Sequence, residues 1–172
     1  CGIAGVIGFS PTKEKISKCL DGLKRRGPDD YGVFLEKDFL IIHTRLAIID
    51  LTDNAKQPMI HRETGVVLAF NGEIYNFREL QKKYNLNASI NSDTRIILEI
   101  YLKKGIEVVS ELHGMFAICI WDPREQTTHL IRDRFGIKPL YLYRQHEKFI
   151  FGSDLNSIFN LGAERNLNLN SI

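Results

Sequence analysis

The sequence predicts a single α+β domain, with sheets packed against helices. Three observations carry that prediction. Short apolar runs with strand character dominate both ends of the chain, segments between them repeat their apolar residues at helical spacing, and the 172 residues are about the length of one ordinary domain. No internal repeat, low-complexity tract or internal linker interrupts the pattern.

Taken in order, residues 2–9 are small and apolar and read as a buried strand. Residues 13–24 change period: Ile16, Leu20 and Leu23 fall on one helical face behind Pro11 and Thr12, a helix-start signal. RRGPDDYG at 25–32 reads as an irregular turn before strands near 33–36 and 38–43. A strand at 65–70 is expected to end at Asn71 and Gly72 and to lead into a short helix at 77–84. Residues 93–104 place Ile96, Ile97, Ile100 and Tyr101 on one stripe, with Gly105 as the stop, and a second helix follows at 105–113. Strands at 115–121, 126–132, 139–144 and 148–153 precede a last helical turn at 154–161.

Composition narrows the function. Twenty-three Lys and Arg against twenty-one Asp and Glu leave a net charge of +2, too mild for a dedicated nucleic-acid or membrane-surface binder. No apolar run approaches the roughly 18 residues of a membrane span. Cys1, Cys19 and Cys119 are odd in number and lack metal-ligand spacing, so neither a disulfide framework nor a metal site is expected, and a cytoplasmic setting fits best. The histidines His43, His61, His113, His129 and His146 lie far apart and read as structural or surface groups. His43 is the least settled of them, because it stands two residues before Arg45 and shares its strand face. Cys19 and Cys119 read as small core residues, and KRR at 24–26 as a solvated face.

The chain begins at Cys1. A free α-amine, with an ordinary pKa of about 7.7–8, can accept the proton of a thiol on the same residue, whose ordinary pKa is about 8.5. Taken alone, Cys1 is more simply explained by removal of a preceding Met, with no catalytic role. In FNGEIYN at 70–76, the Asn71 amide and the Gly72 N–H could serve one developing oxyanion, although Asn-Gly is also a common hairpin turn. Arg45, inside the apolar run HTRLAIID, needs a carboxylate from the protein or from a substrate. Asp93 in SDT reads either as a helix cap or as a partner for a substrate ammonium.

These stretches occur together with RGPDD from Arg26, QPM from Gln57, GMFAICIWD from Gly114 and RDRFGIKPLYL from Arg132. In that order the chain resembles the N-terminal glutaminase domain of class II glutamine amidotransferases, most closely that of the glutamine-hydrolysing asparagine synthetases. The resemblance spans residues 1–153 and implies a four-layer αββα sandwich of the N-terminal-nucleophile hydrolase type. It implies Cys1 as nucleophile with its own amine as base, and Asn71 and Gly72 as the oxyanion hole. Arg45 would hold the glutamine α-carboxylate, Glu73 and Asp93 would receive the α-ammonium, and the backbone of Arg45, Leu46, Ala47, Ile48 and Ile49 would wall the pocket. The product is glutamate plus ammonia, formed through a γ-glutamyl thioester.

Departures from the family pattern are Arg25 where His is usual, Arg95 where Glu is usual, and Asp154 and Asn156 in place of two charged residues in FGSDLNSI. The Ser-Gly-Gly-rich phosphate loop of a synthetase domain is not found among these residues. Residues 1–161 are therefore expected to form the glutaminase domain, and 162–172 to begin a linker toward a synthetase domain of a longer protein. ATP and Mg are expected only for that domain, and no cofactor for this one. Glutamine is the expected small-molecule substrate, nucleic acid and membrane are not expected partners, and a homodimer is left as an option. Three alternatives stand beside this reading: a module that binds glutamine without turnover, a glutaminase serving an acceptor other than aspartate, and an amidase for another amide.

Overall fold

The computed structural model describes residues 1–46 and 56–165. Its strands are β1 (Gly2–Ile7), β2 (Asp30–Glu36), β3 (Phe39–Arg45), β4 (Met59–Ile60), β5 (Val67–Ile74), β6 (Gly114–Asp122), β7 (Thr127–Arg132), β8 (Tyr141–Gln145) and β9 (Lys148–Gly152). The helices are α1 (Lys13–Leu23), α2 (Phe77–Lys83), α3 (Asp93–Lys104) and α4 (Leu155–Leu161), with a 3-10 helix at Gly105–Glu111. One antiparallel sheet has the order β2-β3-β1-β9-β8, the other β4-β5-β6-β7.

Strand alternation builds the layers. In the first sheet Ala4, Val6, Leu40, Ile42 and Ile150 pack against Cys19 and Leu23 of α1 and Ile158 and Leu161 of α4. The alternate residues Ile3, Phe39, Ile41 and Phe151 turn inward onto Val67, Ala69, Ala117 and Cys119 of the second sheet. Leu68, Phe70, Ile118 and Ile120 project from the far face of that sheet onto Ile96, Ile97, Ile100 and Tyr101 of α3. The result is the αββα sandwich, and Phe39 stacked on Trp121 at 5.1 Å between ring centroids helps to join its two sheets.

The helices begin where short polar side chains can satisfy their first N–H groups. Thr12 caps α1 by accepting from Lys15 N, and Asp154 caps α4 by accepting from Ser157 N at 2.8 Å. Ser92 caps α3 by accepting from Arg95 N at 3.3 Å.

The structure corrects the sequence reading at four places. β5 does not end at Asn71 and Gly72 but continues to Ile74, because β6 pairs with it along its whole length, including Gly72 opposite Phe116. The expected helix at 105–113 is a 3-10 helix ending at Glu111. β2 starts at Asp30, inside the segment read as a turn. The two-residue β4, directly after Pro58, is too short to leave a periodic signal.

Candidate active site

The site gathers at one rim of the layer between the sheets. Cys1 stands at the start of β1 and, by the β1–β3 register, on the inward face that also carries Ile3, His43 and Arg45. Its amine donates to the Arg26 carbonyl at 2.8 Å, and Arg26 Nε donates to the Cys1 carbonyl at 3.3 Å. This reciprocal pair holds the first residue of the chain as firmly as a strand pairing would. It exists because the 24–29 loop lies tight against β3: a Cβ at Gly27 would collide with the Thr44–Arg45 backbone, while Asp29 N donates to the Arg45 carbonyl at 3.0 Å. Arg26 is thus half-buried at the site rather than part of a solvated basic face, a correction to the sequence reading.

Electrostatics then favours a neutral amine. Burial, followed by the positive charges of Arg26 and Lys138, lowers its pKa from 8.0 to about 6, against a smaller opposing effect of Asp29. At neutral pH its lone pair is available for a proton. The thiol beside it meets the backbone of Leu46, whose N–H approaches Sγ at 3.4 Å and whose carbonyl lies 3.7 Å from Sγ. An N–H aimed at sulfur stabilises the thiolate. Leu46, expected in the pocket wall, thus meets Cys1 Sγ through its backbone, whereas Ala47, Ile48 and Ile49 fall outside the described residues. Cys19 and Cys119 are buried, and burial raises both thiols, that of Cys19 to about 12, so neither is a nucleophile at ordinary pH.

The facing strand supplies donors. Asn71 points into the layer between the sheets with 3% of its surface exposed, and its Nδ2 has no protein partner among the described residues. A buried amide donor left unpaired is costly, and a ligand oxygen would satisfy it. Along the outer edge of β5, Phe70 N donates to Gln57 Oε1 at 2.6 Å and Ile74 N to Asp93 Oδ2 at 3.3 Å. Alternate N–H groups of a strand point the same way, so the Gly72 N–H projects from that edge between the two. A Cβ at Gly72 would strike the Met115 carbonyl on β6, which is why only glycine fits there.

Asp93 is the first residue of α3 rather than its cap, since Ser92 performs that task. The Asp93 carboxylate also accepts from Thr94 N at 2.7 Å. Burial, with a smaller contribution from Glu73, raises its pKa, and the backbone hydrogen bonds partly offset this. A cation arriving there would relieve the penalty. Arg45 is 8% exposed at the end of β3, and Glu73 is half-buried on β5. Arg95, the charge reversal beside Asp93, turns along its own helix instead, donating through Nε to Glu99 at 2.8 Å.

Three supporting residues were quoted in the sequence without a role. Gln57 joins β5 to α3, accepting from Phe70 N and donating to Thr94 Oγ1 at 3.3 Å. Asp133 collects N–H groups from Phe116, Phe135, Ile137 and Lys138 at 2.9–3.2 Å, fixing the loop that presents Lys138 toward the Cys1 amine. Asn76 clamps the end of β5 to the start of β6, donating to the Glu111 carbonyl at 2.9 Å and accepting from His113 N at 3.0 Å. A polar residue followed by a Gly- or Pro-containing loop is the sequence signal that points to the Gln57 and Asp133 contacts.

Comparison with known proteins bears on the family and the fold. A relative from Methanocaldococcus jannaschii is 38% identical and matches the whole chain, which spans 38% of that protein. Asparagine synthetase [glutamine-hydrolyzing] 2 of Bacillus subtilis is 36% identical over 92% of the chain, which spans 22% of its length. The glutamine phosphoribosylpyrophosphate amidotransferase of B. subtilis superposes with a TM-score of 0.77 at 20% identity, covering 94% of this chain and 44% of that one, and so shares its fold. A family model described as the glutamine amidotransferase domain matches residues 1–172, and the chain belongs to that family.

Proposed function

We propose that this domain hydrolyses glutamine to glutamate and ammonia with Cys1 as nucleophile, and that it delivers the ammonia to an ATP-dependent, amide-forming domain of a longer protein. The observation that carries the reading is the N-terminal cysteine whose amine, at about 6, is neutral beside its own thiol. The amine takes the thiol proton, and Sγ attacks the side-chain amide carbon of glutamine. Electrons pass to the amide oxygen, where Asn71 Nδ2 and the Gly72 N–H receive the developing charge. Collapse breaks the C–N bond, and the ammonium of Cys1 returns its proton to the leaving ammonia. Water, deprotonated by the same amine, then cleaves the thioester and regenerates the thiol.

Arg45 pairs with the substrate α-carboxylate, while Glu73 and Asp93 take the α-ammonium. An amide lacking either end would forgo one of these two contacts, which disfavours other amides. The similar relatives named as glutamine-hydrolysing asparagine synthetases support aspartate as the acceptor, with ATP and Mg serving the synthetase part. Among the described residues no helix is long and apolar enough to cross a membrane, and the setting that fits the three free cysteines is the cytoplasm.

The test is glutamate release from glutamine by the purified chain, beside Cys1→Ala and beside a chain carrying one extra N-terminal residue. A diazoketone analogue of glutamine, followed by intact mass, reports nucleophile activation independently. Turnover and labelling of Cys1 in the parent alone support the reading. Glutamine binding without labelling would instead establish a binding module.

A further inference from the structure

His43 is the buried titratable group that the chemistry above leaves unused. It lies two residues before the Arg45 end of β3, opposite Ile3 and flanked on its other side by Gly32, and its side chain is wholly buried. The register sets it one diagonal step from Cys1 on the inward face, next to Arg45 on its own strand. Neither ring nitrogen has a protein hydrogen-bond partner among the described residues, although the Phe70 carbonyl of the facing strand lies close enough to favour the charged ring. With Phe70 O near enough to serve only one of them, the other nitrogen of this fully buried ring is a cost that a packed core does not keep without a ligand or an internal water.

Burial, the nearby Cys1 amine and Arg45 hold this imidazole neutral, with a pKa near 3, against weaker opposing effects of Phe70 O and Asp30. A neutral imidazole has one donor and one acceptor nitrogen. The donor suits the Phe70 carbonyl, which leaves an acceptor. On the other side, a neutral amine has two N–H groups and one lone pair. The Arg26 carbonyl takes one N–H at 2.8 Å, and that alone leaves the lone pair free to rotate.

We infer that His43 is a positioning residue which, through one bridging water, accepts the second N–H of the Cys1 amine and so aims the lone pair at the thiol. The inference rests on the nucleophile assignment made above. Because the ring stays neutral throughout the working pH range, it adds no charge that would compete for the proton. The charged groups facing the amine are Arg26 and Lys138, which disfavour its protonation, and Asp29, which favours it. His43 adds an acceptor to that set, and an acceptor stabilises the ammonium more than the amine.

The experiment compares the parent chain with His43→Phe, which keeps the ring volume and removes both nitrogens, and with His43→Gln, which keeps a donor and an acceptor. Glutamine kcat and KM are followed from pH 5 to 9 with thermal melting, and the pH dependence of Cys1 alkylation by iodoacetamide is read by intact mass. The expected result for His43→Phe is an unchanged or higher melting temperature, KM within about twofold and kcat lower by about tenfold or more. Its acid limb of activity and of alkylation should move down by about half a pH unit, with partial recovery in His43→Gln. An unmoved acid limb in both variants would overturn the inference, whether kcat is kept or falls together with the melting temperature. Alkylation needs no glutamine, so a parent that alkylates with its limb near pH 6 but does not turn glutamine over would fail the nucleophile reading alone, while the limb shift still judges His43.

Discussion

The rim and the middle of the layer between the sheets are built from the same strands, yet among the described residues the candidate chemistry gathers at the rim. In the middle, Ile3, Ile41, Ala69, Ala117, Cys119 and Phe151 form one buried hydrophobic cluster. At the rim, two residues or so farther along β1, β3 and β5, stand Cys1, His43, Arg45 and Asn71, and among the described residues the His43 ring nitrogens and Asn71 Nδ2 have no hydrogen-bond partner. The two cysteines make the contrast plain. Cys119 is a fully buried thiol that burial keeps protonated, whereas Cys1 has an adjacent neutral amine and a backbone N–H on its sulfur. Residue type does not separate them, but solvent access and the neighbouring lone pair do.

Removing the difference at Cys1 should have the largest effect. Cys1→Ala abolishes glutamine hydrolysis, with a loss of at least about 10³-fold. Acetylating the free amine should cost nearly as much while leaving the thiol in place. Glutamate release measures both, and a Cys119→Ala variant with parental activity completes the contrast. Turnover surviving in acetylated protein would mean that another group accepts the proton.

The next largest effect is expected across the gap. Asn71→Ala should lower kcat by about 10²-fold or more, since it deletes the donor proposed to serve the oxyanion. The melting temperature should hold or rise, because the unpaired buried amide goes with it. Gly72→Ala differs in kind: its new methyl meets the Met115 carbonyl, so a loss of about 1–3 kcal/mol in stability is expected alongside lost activity. Urea unfolding with steady-state kinetics separates the two variants, and a stable Gly72→Ala protein would contradict the tight β5–β6 approach.

How much of this rim was legible in sequence follows from how each residue acts. Cys1, Arg45, Asn71 and Asp93 carry side chains whose chemistry is visible in one letter, and the strand and helix periods around them placed the elements to within a few residues. Arg26 was misread because its contribution to Cys1 comes partly through its carbonyl, which every residue has, and through a loop folded back against β3. Gln57 accepts from Phe70 N of β5, and Asp133 from Phe116 N of β6 as well as from its own loop, so the Pro- or Gly-containing loop that follows marks each residue but not the strand it reaches. The extension of β5 beyond Gly72 was hidden for a related reason. Asn-Gly favours a turn locally, and pairing with β6 overrides that preference.

The amine also gives the rim a pH signature. Activity needs it neutral, so kcat/KM should fall about tenfold per pH unit below 6 and level off above it. Folding runs the same way. The amine pKa is lowered from 8.0 to about 6 on folding, so the cost of burying its charge is fully present below pH 6 and disappears as pH rises to 8. Melting temperature should climb across that window in the free-amine protein and not in the acetylated one. Lys138→Ala, by removing a positive charge that faces the amine, should move the acid limb of kcat/KM upward.

The smallest effect is expected at Arg95, where a basic residue stands two positions from Asp93, the carboxylate proposed to receive the substrate ammonium. Proximity in sequence suggests repulsion and a weakened KM. The guanidinium, however, is held by Glu99 with Nη2 at 2.6 Å from its carboxylate, one turn along the solvent-facing side of α3. An exposed i, i+4 pair contributes about 0.3–0.5 kcal/mol, and its two charges largely cancel at a distance. Arg95→Ala should therefore change glutamine KM by no more than about twofold and stability by only a few tenths of a kcal/mol. Glu99→Ala should do more to KM, because it releases the Arg95 charge beside Asp93. If Arg95→Ala tightens KM severalfold while Glu99→Ala leaves it unchanged, the guanidinium reaches the pocket despite its partner, and the rim extends farther along α3 than the hydrogen bonds indicate.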